Sequence, residues 1–140
     1  METYRGSCHC GRVQFKVLTA LTQVMFCDCL LCQKKGVLHH RVPDERFTLK
    51  AGHNSLTLYQ FGTRRARHWF CRYCGLHPFS SPPLDEVCYD INVRCLDNYD
   101  ISPHTFQMSC ADIEIRPFDG ESLEERFWPH TSRQAPNHGR

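Results

Sequence analysis

The chain lacks any apolar run approaching the ~18 residues that a membrane helix needs. Its opening residues, METYRGSCHCG, hold no apolar stretch that could serve as a signal peptide. Both absences set the expectation of a cytoplasmic protein with no membrane partner. Internal repeats and low-complexity blocks are missing too, so neither a solenoid nor a long linker is expected. Helical signals are scarce: only Leu30–Lys35 and residues 121–127 read as helical. What remains is 140 residues, 41% hydrophobic and 23% charged, the size and balance of one globular domain. That domain is expected over residues 1–128. The stretch 129–140 (PHTSRQAPNHGR) has too few apolar residues to pack and is expected to be a flexible tail.

Period-two alternation fills most of the domain. Residues 12–18, 23–27, 36–42, 47–50, 55–61, 66–71 and 87–93 alternate apolar and polar positions with β-branched and aromatic residues. Turn signals separate them at Pro43-Asp44, Gly52-His53-Asn54 and Ser81-Pro82-Pro83. The pattern predicts a mostly β chain.

Ten cysteines do not fit an ordinary small domain. In a reducing compartment that density points to metal binding or catalysis rather than disulfides. Cys8 and Cys10 form CxC, Cys27, Cys29 and Cys32 form CxCxxC, and Cys71 and Cys74 form CxxC followed by Gly75. Neighbours this close rarely reach disulfide geometry, but two thiolates on a tight turn suit one tetrahedral zinc. Joining the CxxC turn to Cys8 and Cys10 completes a four-cysteine set and leaves Cys27, Cys29 and Cys32 as three. The alternative joins the CxxC turn to two of those three and strands Cys8 and Cys10. Four thiolates make a closed, structural site; three leave a position open to water or a ligand. Cys88, Cys95 and Cys110 stand alone and read as core residues, with Cys95 also a candidate fourth ligand of the three-cysteine site.

Net charge is only +2, but it is unevenly spread. Nine Lys/Arg and two acidic residues lie between Gln33 and Gly75. This basic stretch could draw an anionic ligand to the metal or offset the thiolate charge. Nucleic acid is a weaker partner, because a strand through TRRARHWF would split Arg65 and Arg67 from Arg64. A thioredoxin-like redox role is poor too, since Cys71 and Cys74 lack a βαβ context.

The segments GSCHCGRVQF, CDCLLCQKKG and HWFCRYCG, with NVRCLD after them, resemble the glutathione-dependent formaldehyde-activating enzyme family, which includes centromere protein V. The likeness runs from about Gly6 to Leu96. It implies a single zinc-stapled complex β fold of the Mss-four type with two zinc ions. Cys8, Cys10, Cys71 and Cys74 would hold a structural zinc, and Cys27, Cys29 and Cys32 a second zinc where glutathione binds. The implied activity is a carbon–sulfur lyase of the S-hydroxymethylglutathione synthase kind, taking glutathione or another small thiol and a small aldehyde, formaldehyde. Such chemistry needs a proton donor, for which His39, His40 and His68 are candidates, and cations for the glutathione carboxylates, for which Lys34, Lys35, Arg64, Arg65 and Arg67 are candidates. The competing expectation is a non-catalytic zinc module that binds glutathione, a protein or nucleic acid.

Overall fold

A computed structural model of the chain describes residues 1–22, 24–27 and 29–99. The helix expected at 121–127, the tail at 129–140 and Cys110 lie outside the described residues. Among the described residues, eight strands form two antiparallel sheets. The smaller sheet orders β1 (Glu2–Ser7), β2 (Gln14–Thr19) and β4 (Phe47–Ala51) as β1-β2-β4. The larger orders β3 (His39–Pro43), β5 (Leu56–Tyr59), β6 (Arg67–Cys71), β7 (Phe79–Ser81) and β8 (Cys88–Asn92) as β3-β8-β7-β6-β5. The one α-helix among the described residues, α1, spans Leu30–Lys35 as the sequence predicts.

Alternation explains β2 directly: Phe15, Val17 and Thr19 are buried while Gln14, Lys16 and Leu18 face water. The sheets meet over an aromatic core. Phe47 stacks on Tyr89 with ring centroids 4.2 Å apart and meets Phe79 at 4.8 Å. Phe15 lies 5.8 Å from Phe47, and Trp69 lies 5.5 Å from Phe79.

Three expectations need correction. β1 and β7 were not anticipated: ETYRGS has a weak pattern, and β7 is three residues long beside a Pro-Pro turn. Within the described residues 24–27 of the strand expected at 23–27, the pairing is one bridge, Met25 with His39. Strand β3 begins at His39 rather than 36, because Gly36 caps α1 in a left-handed conformation (φ 67°).

The register of the larger sheet sets up the functional face. Tyr59 pairs with His68, His68 with Ser80, Ser80 with Asp90, and Asp90 with Arg41. One cross-strand row of polar side chains therefore runs through all five strands. Successive residues on a strand point to opposite sides, so this row shares a face with His39 and Asn92, and the aromatic core occupies the other. His39, His68, Ser80, Asp90 and Asn92 are all buried. Helix α1 and the cysteine loop before it reach that face, placing Lys35 against His68 and Cys32 against His39.

Candidate metal centres

The four-cysteine set forms as the ligand count suggests. Cys8 follows β1, Cys10 sits in the turn to β2, Cys71 ends β6, and Cys74 lies in the turn beyond. Two tight turns aim them at one point. In the first, Gly11 N–H donates to the Cys8 carbonyl (3.0 Å) and Val13 N–H donates to the Cys8 Sγ (3.3 Å). In the second, Gly75 N–H donates to the Cys71 carbonyl (2.7 Å). Gly11 and Gly75 take φ of 79° and 75°, which a side chain would oppose. All four sulfurs lie within 4.8 Å of one another. Cys10 Sγ is 3.6 Å from Cys8 Sγ and 3.7 Å from Cys71 Sγ. The edge of a tetrahedron with Zn–S bonds of about 2.3 Å is about 3.8 Å, so the donors and their spacing fit zinc.

The electrostatics favour thiolate at Cys10 and Cys74. The backbone N–H and guanidinium of Arg12 lower Cys10 to about 6. Burial raises Cys74, but backbone N–H groups of Cys10 and Leu76 outweigh it and bring it below the usual thiol range. Cys8, deeper, is pushed up to about 11 by burial.

The second set, Cys27, Cys29 and Cys32, also has its sulfurs within 4.8 Å. Cys29 is the N-cap of α1, and its sulfur accepts from Cys32 N–H (3.4 Å). Hydrogen bonds from Cys27 and Cys32 hold Cys29 far below the usual thiol range, and the same sharing drives Cys32 up. Cys32 is buried, Cys27 is partly buried and Cys29 is exposed. Three soft donors around one point, open on the Cys29 side, fit a zinc with a free position.

Around this cluster stand Lys35, His39 and His68, while His77 packs its ring against Phe70, within electrostatic reach of Lys35 and His68. Lys35 Nζ is 3.4 Å from His68 Nδ1. Burial lowers the Lys35 pKa, while the sulfurs of Cys32, Cys29 and Cys27 pull it back. His68 is held down to about 4, by burial first and then by the charge of Lys35, so it is neutral at physiological pH. His77 is likewise lowered to about 4 by burial. His39 places Nε2 3.3 Å from Cys32 Sγ.

The remaining sequence candidates divide. His40 points to the core side, where its Nε2 meets Thr19 Oγ1 at 2.8 Å. Lys34 is exposed on α1 beside the second cluster. Arg64 and Arg65 lie in the turn between β5 and β6, with Arg65 3.4 Å from Asp85. Arg67 sits on β6 one position before His68 and so shares the side of Trp69, across the sheet from the polar row. Cys95 packs in the core, its thiol 3.9 Å from the His77 carbonyl and raised by burial to about 12. It joins neither sulfur set, and its cysteine neighbours are Cys8 and Cys74 of the first. Cys88 is buried apart from both. Sequence reasoning missed Ser80 and Asp90 of the polar row: Asp90 carried a signal as the one charged residue of CYDIN, whereas the three-residue β7 carried none.

Fold and sites together define a class: a two-sheet β protein with one closed and one open thiolate cluster. The family model for the glutathione-dependent formaldehyde-activating enzyme matches residues 3–112, and the chain belongs to that family. Its structure is similar to the crystal structure of a Rhodobacter sphaeroides protein, with TM-score 0.65 and 34% identity, over 73% of this chain and 94% of that one. Among the described residues, no helix is long and apolar enough to cross a membrane.

Proposed function

We propose that the protein is a zinc-dependent carbon–sulfur lyase that joins glutathione and formaldehyde into S-hydroxymethylglutathione and catalyses the reverse cleavage. The observation that carries this reading is the open three-cysteine cluster with a half-buried cation, Lys35, beside it. Cys8, Cys10, Cys71 and Cys74 would hold the structural zinc, and Cys27, Cys29 and Cys32 the second, which when bound would offer a position for a thiol and lower its pKa. The exposed Cys29 side is where such a thiol enters.

The remaining chemistry belongs to side chains. The glutathione thiol loses its proton to solvent, its sulfur forms a bond to the formaldehyde carbon, the carbonyl π pair moves to oxygen, and that oxygen takes a proton from a donor that solvent then reprotonates. Lys35 is the group in place to face the developing alkoxide and supply the proton. His68, neutral and fixed in the sheet, accepts from the Lys35 ammonium and orients it. His39 and His40 are already engaged, with Cys32 and Thr19. Lys34, on the same short helix, and Arg64 are the proposed contacts for the glutathione carboxylates. Both clusters require reduced thiols, which supports a cytoplasmic location.

Exchange spectroscopy by NMR on a glutathione–formaldehyde mixture tests the reading. Purified protein with two zincs per chain should accelerate adduct formation and breakdown, and Cys29→Ser should abolish the acceleration. Glutathione binding without any acceleration would make the protein a non-catalytic zinc module instead.

A further inference from the structure

His39 grips the second cluster from both ends. Its backbone N–H donates to the Met25 carbonyl (2.9 Å), and its carbonyl accepts from Met25 N–H (2.6 Å). Met25 lies two residues before Cys27, so this bridge anchors the chain as it enters the cluster. The His39 side chain reaches the far end, with Nε2 3.3 Å from Cys32 Sγ. On its other edge β3 is paired to β8, His39 opposite Asn92, so the grip is mounted on the sheet.

The ring is 5% exposed, and its Nδ1 is buried with no hydrogen-bond partner. A buried polar atom left unpaired is costly, so the ring is placed here for its other nitrogen. Cys32 is itself 5% exposed, so once a bound metal displaces its proton the sulfur is a buried thiolate that needs a donor. An Nε2–H tautomer gives Cys32 that donor and leaves a bare lone pair, not an N–H, at Nδ1. A lone pair is the more readily tolerated orphan.

We infer that His39 is a positioning residue of the three-cysteine metal site, holding Cys32 as an oriented thiolate through Nε2–H while its backbone fixes the approach to Cys27. The inference rests on the reading of that cluster as a zinc site. It does not make His39 a ligand, since its nitrogen lies outside the set of mutually close donors.

Competition between the full-length zinc protein and a chromogenic chelator tests it without glutathione or formaldehyde. The second-site step is identified as the one missing in Cys29→Ser. His39→Phe keeps the ring volume and removes the donor, and should weaken that step by roughly 10–100-fold. His39→Gln restores a donor near the same place and should recover most of the loss. Retention of the first zinc and an unchanged thermal midpoint show that the fold is intact. His39→Leu gives the same reading should the phenyl ring not fit. Equal second-site affinity in wild type and His39→Phe overturns the inference. So does an equal loss in His39→Phe and His39→Gln, which would mean the imidazole itself is required. A wild-type protein with only one zinc step overturns it as well. A protein that passes this test but forms no glutathione adduct refutes only the proposed reaction.

Discussion

Cys71→Ser is the perturbation whose consequence the structure fixes most firmly. Cys71 is fully buried, ends β6, and links the larger sheet to the β1–β2 turn of the smaller one. Its sulfur meets Cys10, 61 residues away in sequence. A cross-link over that separation reduces unfolded-state entropy by about 4 kcal/mol, treating the metal as a covalent staple. Whole domains are stable by only about 5–15 kcal/mol, so losing the staple removes a large share. A 1 kcal/mol loss lowers Tm by roughly 4–8 °C in a domain of about 100 residues, so the midpoint should fall by more than about 15 °C. The assay is thermal unfolding by circular dichroism, with zinc content measured on the same samples. Cys95→Ala is the control, because Cys95 packs in the same core region but belongs to neither cluster. It should keep both zincs and cost about 1–3 kcal/mol as a small cavity or packing change. A Cys71→Ser protein with an unchanged midpoint would refute the staple. So would equal losses in the two variants with zinc retained in both.

Cys29→Ser should fold, keep one zinc and lose thiol binding, since ligands within Cys27–Cys32 close almost no long loop; two zincs at full occupancy by metal analysis would remove Cys29 from the ligand set. Lys35→Met should lower kcat for adduct formation at least ten-fold with zinc content unchanged, whereas Lys34→Met, on the exposed side of α1, should act on KM. Equal effects on kcat would deny Lys35 its special place. Stability should fall as pH drops from 6.5 toward 4: His68 and His77 are held down to about 4 when folded, so the unfolded chain binds more protons across that window. His68→Gln should flatten part of that slope in Tm measurements between pH 7 and 4.5, and an identical slope would show that His68 does not titrate as its burial implies. Replacing Arg67 by Gln should leave glutathione binding by calorimetry unchanged, because Arg67 lies across the sheet from Lys35; a several-fold loss would move the binding surface to that side.

The sequence by itself determined the chemistry. Seven cysteines in three tight groups, two followed at once by glycine, define donors whose spacing is short enough to be set by local backbone geometry alone. Gly11 and Gly75 with their left-handed φ, and α1 capped by Cys29, show those local rules acting in the folded chain. Period-two alternation likewise located the strands with one buried and one exposed face, such as β2. Ligand count and the resemblance already favoured Cys8 and Cys10 with Cys71 and Cys74, but the local spacings left another pairing open, and the tertiary structure decided it by bringing Cys10 and Cys71 together across 61 residues. It also decided that Cys95 lies by the first cluster, that His39 and His40, adjacent in sequence, serve opposite faces, and that Lys35 among the many basic residues reaches the second cluster. The physical reason is register. A strand fixes the side on which each residue stands, but its pairing partner fixes what stands beside it. The row from Tyr59 to Arg41 comes into existence only when five separate strands align.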